Sequence, residues 1–285
     1  MPRTSRLERK PRFAVLVTGV FFAWLYLPIL AVALFSFNDK KSLSSFSGFS
    51  LRWYDALVHD SALIDSLVAS LKIAGAATVG SLVLGTMLAI GLERVGSRRG
   101  RVIGAVTLLP LVTPEIVTGV AALLLFTGIG LKLSMATVIL AEITFSIAYV
   151  AVIVRGRLAG ISLEVEEAAR DLGCTPWQAL RLVVLPTLVP ALVGAGLLVF
   201  ALVFDDFVLA FFTTGVDPQP LPVRVYSSIR FGVSPAINAI GALMLVASAL
   251  LIVAALLLPR IFGRGSSTLD PVSYTHLTLP TILRV

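Results

Sequence analysis

Long apolar runs separated by short polar connections dominate the chain. A transmembrane helix needs about 20 mainly apolar residues, and each run is long enough to supply one. We predict six spans, which are Phe13–Phe37, Leu67–Leu92, Val102–Phe126, Leu133–Val154, Thr187–Phe212 and Ala236–Phe262. The pattern therefore predicts an all-α membrane protein with six transmembrane helices.

The composition agrees with a membrane environment. Only 14% of the residues are charged, whereas soluble domains carry about 25%. The net charge of +7 comes largely from Lys and Arg in alternate connections, which is typical of cytoplasmic loops. We therefore predict that the N- and C-termini are cytoplasmic and that the basic charge does not indicate nucleic-acid binding.

The connections predicted on the opposite side also have local character. The stretch "FSLRWYDAL" predicts a short interfacial helix, in which Trp53 and Tyr54 would suit the headgroup region. The loop between Thr213 and Pro235 contains three prolines, so we expect it to be extended and irregular rather than helical.

A charged segment, "EVEEAARDLGCTPWQALRLVVLP", interrupts the apolar pattern in the connection between the fourth and fifth spans. Ser162 is a suitable N-cap for a first helix, and Gly173 is a suitable residue to end it. Glu166 and Arg170 are spaced to form an i,i+4 pair on that helix.

A second helix is predicted to follow at once. Thr175 and Gln178 have the spacing of a capping box, with Pro176 at the first helical position. We expect this helix to be short, because Pro186 should stop or kink it. The local pattern thus predicts two short helices joined by a tight turn. The alternative interpretation is a well-capped cytoplasmic loop with a solvated face.

The same segment resembles the EAA loop of ABC-transporter permease subunits. That pattern is Glu-Ala-Ala, three residues, Gly, nine residues and Ile-x-Leu-Pro, and the chain departs from it only by having Val183 in place of Ile. The resemblance implies a type I ABC importer permease of MetI-like fold, whose EAA loop docks on a cytoplasmic ATPase. The residues that it assigns to ATPase coupling are Glu167, Ala168, Ala169, Gly173, Leu185 and Pro186.

More of the chain resembles permeases of spermidine/putrescine-type importers. The stretches that carry this resemblance are "YLPILAVALFSFN", "SLRWYDAL", "LPLVTPEIVTG", "FDDFVLAFFTTG" and "LPVRVYSSIRFGVSPAINAI". It implies a multi-pass protein of the bacterial inner membrane that moves polyamines into the cytoplasm. Its implied partners are a cytoplasmic ABC ATPase dimer, a second homologous permease (a heterodimer), a periplasmic substrate-binding protein and the surrounding lipid. Glu142 departs from the family, where we expect a histidine, so no role is assigned to it.

This assignment gives a domain outline. Residues 1–12 are expected to form a cytoplasmic N-terminal segment, and residues 13–265 the permease domain with its EAA loop at about 155–186. Residues 266–285 form a tail, and the composition break at its end predicts that residues 270–285 are non-native or disordered.

Three acidic residues within or beside the spans are candidates for the substrate pathway: Glu115, Asp205 and Asp206. A carboxylate in the membrane should face protein or water rather than lipid. On a continuous helix Asp205 and Asp206 would point about 100° apart, so we favour Asp206 for the pathway and Asp205 for an inter-subunit or loop hydrogen bond. The alternative is that these carboxylates only cap or bridge helices.

The sequence predicts no catalysis by this chain itself. It contains no G-x-x-x-x-G-K-[ST] phosphate loop. With one cysteine and two histidines, we predict no catalytic, cofactor or metal site. Three alternatives remain: a related permease for another small amine or amino-acid-like solute, a stand-alone secondary transporter, and a membrane enzyme that uses Glu115 with Asp205 or Asp206.

Overall fold

The computed structural model describes residues 12–41, 45–94, 98–216, 218–230 and 235–262. Within these residues the fold is helical, and the β-type pairing is limited to an isolated bridge between Asn38 and Phe49. The predicted all-α class is confirmed. The predicted N-terminal segment up to residue 11 and the tail at 266–285 lie outside the described residues.

Five long helices form the body of the described chain. They are α1 Arg12–Phe35, α3 Ser61–Arg94, α7 Met135–Leu158, α10 Leu185–Asp205 and α13 Pro235–Phe262. Shorter helices connect or flank them: α2 Arg52–Val58, α4 Arg98–Thr107, α5 Leu109–Val112, α6 Glu115–Gly128, α8 Leu163–Asp171, α9 Pro176–Ala179, α11 Val208–Thr213 and α12 Leu221–Arg230. A π-helical turn, Leu180–Val184, joins α9 to α10.

The predicted third span is broken. In the described part of the chain, five helical stretches are long and apolar enough to cross a membrane. A sixth is obtained if Val102–Val112 and Glu115–Gly128, which meet at 106°, are counted together. Pro110 and Pro114 within this span predict a kinked or broken helix. Pro114 lies at the break and immediately precedes α6, so the predicted kink is present. The six-helix prediction therefore holds with one span sharply bent.

The core lies where α3 and α7 pack along each other, with α10 against both of them and against α13. Small residues bring α3 and α7 close together. A Cβ added at Gly85 would lie 2.7 Å from Cβ of Val150, closer than real side chains approach. Between apolar helices in a membrane, this close packing replaces the hydrophobic driving force that acts in water.

The predicted fifth span, Thr187–Phe212, is wrong at both ends. The helix extends back without interruption to Pro176, and it ends at Asp205. Asp206 is in an extended conformation, with φ −69° and ψ 121°, and Phe212 belongs to the separate helix α11. The apolar run continues through both helices, so hydropathy alone could not locate the break.

The predicted irregular loop before the last span is also wrong, because it contains α12. Pro222 is the second residue of that helix, where no intrahelical N–H bond is required and proline is tolerated. The N–H of Leu221 donates instead to Oγ of Ser70 at 2.8 Å.

The short helix predicted from "FSLRWYDAL" is present as α2, but Trp53 does not face the headgroup region. It is 7% exposed and packs with Leu57, Leu221 and residues of α13. Its indole N–H donates to the carbonyl of Asn38 at 2.7 Å, which satisfies the polar atom in this buried position.

Substitution of two glycines in α3 should separate packing from helix propensity. Gly85→Ala should destabilise the protein by about 1–3 kcal/mol, the usual cost of overpacking, through its clash with Val150. Gly75→Ala is the matched control, because a Cβ there meets nothing within 4 Å, and it should stabilise the helix by up to about 1 kcal/mol. Thermal unfolding midpoints in detergent measure both effects, and equal midpoints for the two variants would contradict the packing argument.

Candidate functional site

The EAA segment forms a capped helix followed by a tight turn, as predicted. Oγ of Ser162 accepts from the N–H of Glu164 at 3.2 Å and caps α8. At the other end, the N–H of Gly173 donates to the backbone carbonyl of Arg170 at 2.9 Å, and the N–H of Cys174 donates to the backbone carbonyl of Ala169 at 3.1 Å. These two bonds form a Schellman motif, which requires a left-handed residue at Gly173. Gly173 has φ +91°, so the turn depends on glycine there.

The second helix is not short. Its capping box is present: the N–H of Thr175 donates to Oε1 of Gln178 at 2.8 Å, and the N–H of Gln178 donates to Oγ1 of Thr175 at 3.3 Å. The helix then continues through Pro186 into the membrane span, because the π-turn adds an extra residue before the proline. The N–H of Leu185 donates five residues back to Leu180, which accommodates the ring that would otherwise clash with a carbonyl.

The structure distributes the predicted coupling residues between surface and interior. Glu167, Ala168, Gly173 and Pro186 are exposed. Leu185 is half-buried and Ala169 is buried, so they pack inside the EAA hairpin, by which we mean α8, the turn at Gly173 and α9. Of the two adjacent alanines that the resemblance assigns to ATPase coupling, only Ala168 is exposed.

Two exposed apolar residues at the tip of this hairpin were not predicted from the sequence. Leu172 is 88% exposed and Trp177 is 66% exposed, and they lie on either side of the turn at Gly173. Large apolar side chains left exposed beside a charged helix are typical of protein contact surfaces. Their position in a charged segment outside the apolar runs was the available indication.

One charged pair joins the hairpin to α3, and a second joins α7 to α3 nearby. Glu166 does not form the predicted pair with Arg170. Instead its carboxylate accepts from Arg94, at the end of α3, at 2.9 Å. Arg155 at the end of α7 lies 3.8 Å from Glu93 of α3. The EAA hairpin is thus connected by an ion pair to α3 and by the continuous helix to α10.

A second feature is an acidic cavity of about 520 Å³ between α6, α7, α10 and α13. It brings together the three predicted pathway residues, Glu115, Asp205 and Asp206. The prediction that Asp205 and Asp206 cannot share one pathway is wrong, because it assumed a continuous helix. With the helix ending at Asp205, both residues line the same cavity.

Asp206 is held in place by the start of α11. Its Oδ1 accepts from the N–H of Val208 at 2.7 Å and from the N–H of Leu209 at 3.3 Å. The alternative prediction, that this carboxylate caps a helix, is therefore correct for Asp206. Asp206 also lines the cavity, so the two positions are compatible. Asp205, one residue earlier, makes no such bond and is exposed.

The structure adds a fourth carboxylate, that of Glu142 in α7. Glu142 is 1% exposed, and its side chain lines the same cavity as those of Glu115 and Asp206. Carboxylates that share one cavity repel one another unless a proton or a cation lies between them. A charged residue inside an apolar run marked this position, but no role was predicted for it because a histidine was expected there.

Comparison with known proteins gives consistent matches. A family described as "binding-protein-dependent transport system inner membrane component" matches residues 81–268. The chain is 39% identical to the putrescine transport system permease protein PotI of Escherichia coli K12, over 82% of this chain and 85% of PotI. It is 35% identical to the spermidine/putrescine transport system permease protein PotC of Haemophilus influenzae, over 85% of this chain and 94% of PotC.

Solved structures share the fold at low sequence identity. A chain of a bacterial ABC transporter involved in the import of the acidic polysaccharide alginate superposes with a TM-score of 0.70 and 14% identity, covering 87% of this chain and 94% of that one. A chain of the MetNI methionine ABC transporter gives 0.59 and 20% identity, covering 70% and 95%. The predicted MetI-like importer fold is confirmed.

The capping role of Asp206 can be separated from its charge. Asp206→Asn keeps an oxygen that accepts from Val208 and Leu209 while removing a charge from the crowded cavity. It should therefore be at least as stable as the wild type. Asp206→Ala loses the cap and should be about 1 kcal/mol less stable than Asp206→Asn. Thermal unfolding in detergent measures this difference, and identical midpoints for the two variants would rule out the cap.

Proposed function

Because the chain belongs to the family of binding-protein-dependent transport system inner membrane components, we propose that it is the membrane-spanning permease subunit of an ATP-driven importer of polyamines such as putrescine and spermidine. The observation that supports a polyamine as the substrate is the acidic cavity within the helix bundle. Its carboxylates match the charge of an alkyl ammonium cation. The names of the relatives with 39% and 35% identity point to the same substrates.

The EAA hairpin is the ATPase dock in this proposal. Leu172 and Trp177 insert into a groove on the ATPase, while Glu167 offers an anion to a basic residue there. The absence of a side chain at Gly173 permits close approach. Since α9 continues through the π-turn into α10, a displacement of the dock moves the membrane helix that ends at the acidic cavity.

The remaining partners follow from the permease architecture. ATP is bound and hydrolysed by a cytoplasmic ABC ATPase dimer, and this chain performs no catalysis of its own. A second, homologous permease completes the pathway as a heterodimer, and a periplasmic binding protein delivers the substrate. The hairpin and both termini face the cytoplasm, a topology supported by the Arg residues at the hairpin end of the bundle, among them Arg94, Arg155 and Arg157.

The docking role of the hairpin can be tested at Gly173. Gly173→Asp should abolish ATP-dependent uptake and binding-protein-stimulated ATP hydrolysis, because the side chain obstructs the partner. Gly130→Asp is a matched control: Gly130 also has a positive φ, +74°, with nothing within 4 Å of an added Cβ, and it precedes the opposite end of α7. The control should insert and transport normally. Wild-type transport and ATP hydrolysis by Gly173→Asp would refute the docking assignment.

Reconstitution tests the transport function itself. Proteoliposomes that contain this chain, its permease partner, the ATPase and the binding protein should accumulate radiolabelled putrescine only when ATP is present. Omission of the ATPase should reduce uptake to the level of empty vesicles, because the chain has no energy source of its own. Uptake that continues without the ATPase would identify a stand-alone transporter instead.

A further inference from the structure

Glu142 is buried in the acidic cavity but has no role in the proposed function so far. Its Oε1 is buried and has no hydrogen-bond partner among the described residues, although it lines the acidic cavity. The hydroxyl of Ser248, on α13 and lining the same cavity, is likewise buried without a partner there. A buried polar atom without a partner costs about 1–3 kcal/mol, so a ligand that bonds to both atoms at this cavity would be stabilised there.

The chemistry of the cavity selects a cation as that ligand. Among the described residues that line it are four carboxylates, Glu115, Glu142, Asp205 and Asp206, with no Lys, Arg or His. None of the ion pairs found in the described chain involves any of the four. A cation placed beside Glu142 and Asp206 would both satisfy the free oxygen and relieve the repulsion between the two side chains.

The remaining lining indicates an organic cation. Phe145, Tyr149 and Phe207 border the cavity, and aromatic rings pack against methylene groups and attract ammonium groups through their faces. The volume of about 520 Å³ lies in the range usual for small-molecule sites, about 300–1,000 Å³. An aliphatic chain that carries ammonium groups fits this combination.

Exposure gives the site a direction. Glu142 is 1% exposed, Asp206 is half-buried, and Asp205 is exposed. A charged group therefore meets Asp205 first and reaches Glu142 last. Two positive charges on one linear molecule could occupy the inner and outer ends of this series together.

We propose that Glu142 is a substrate-contacting residue. With Asp206 it forms an inner subsite that holds one terminal ammonium group of a linear di- or polyammonium cation, while Asp205 at the opening attracts a second positive charge of the same molecule. The free hydroxyl of Ser248 supplies a further acceptor for the inner ammonium group. This inference rests on the proposed polyamine transport and adds to it the residue that binds the substrate deepest.

The complete transporter with its binding protein, in ATP-loaded proteoliposomes, provides the test. Glu142→Gln keeps the shape of the side chain and removes its charge, so it should lower the rate of putrescine uptake at least tenfold. ATP hydrolysis stimulated by the putrescine-loaded binding protein should stay within twofold of wild type, because the dock is far from the change. Glu142→Asp keeps the charge and should retain more uptake than Glu142→Gln.

Asp65→Asn is the matched control, since Asp65 is an exposed carboxylate of α3 outside the cavity, and it should leave uptake and ATP hydrolysis unchanged. Wild-type uptake by Glu142→Gln would overturn the inference alone. Equal losses of uptake and ATP hydrolysis in Glu142→Gln and Glu142→Asp would overturn it in favour of a structural role. An absence of putrescine uptake by the wild-type transporter would overturn the proposed function as well, so the two failures are distinguishable.

Discussion

One helical stretch, from Pro176 to Asp205, connects the EAA hairpin with the acidic cavity. It has 30 residues, and at a rise of 1.5 Å per residue it is about 45 Å long. Its first turn is fixed by the capping box at Thr175, and its last residue lies in the acidic cavity. The helix contains the π-turn and two prolines, Pro186 and Pro190, so its hydrogen-bond ladder is not regular throughout. The EAA hairpin and the acidic cavity nevertheless lie at the two ends of one helical element.

The surrounding helices determine how that element can move. α3 and α7 are held together by close contacts at small residues such as Gly85 and present a firm surface to α10. At the hairpin end, the pair between Arg94 and Glu166 joins α8 to α3. The π-turn at Leu180–Val184 is the departure from regular helix between the hairpin and the membrane. The hairpin is thus connected to the membrane helices in two ways, through the π-turn to α10 and through this ion pair to α3.

The end of α10 explains how a protein this apolar can contain four carboxylates in one place. A carboxylate that faced lipid would cost about 2.5–3.5 kcal/mol at mid-bilayer. The break after Asp205, together with the capping of α11 by Asp206, turns both side chains into a cavity bordered by protein. Glu142 enters the same cavity from α7 and Glu115 from the broken third span. The cavity exists because two of the predicted spans are interrupted.

The helical class, the kink in the third span, and the caps and turn of the EAA hairpin could be predicted from the amino-acid sequence. Each depends on an apolar run or on residues within a few positions of one another, such as Ser162 with Glu164 and Thr175 with Gln178. The three-dimensional structure was needed to show that the helix continues through Pro186, that it ends at Asp205, and that Glu142 lines the same cavity as Asp206. A π-turn, a break within a continuous apolar run and a contact between distant helices leave no short-range pattern. Their stability comes from packing between helices that are far apart in the chain.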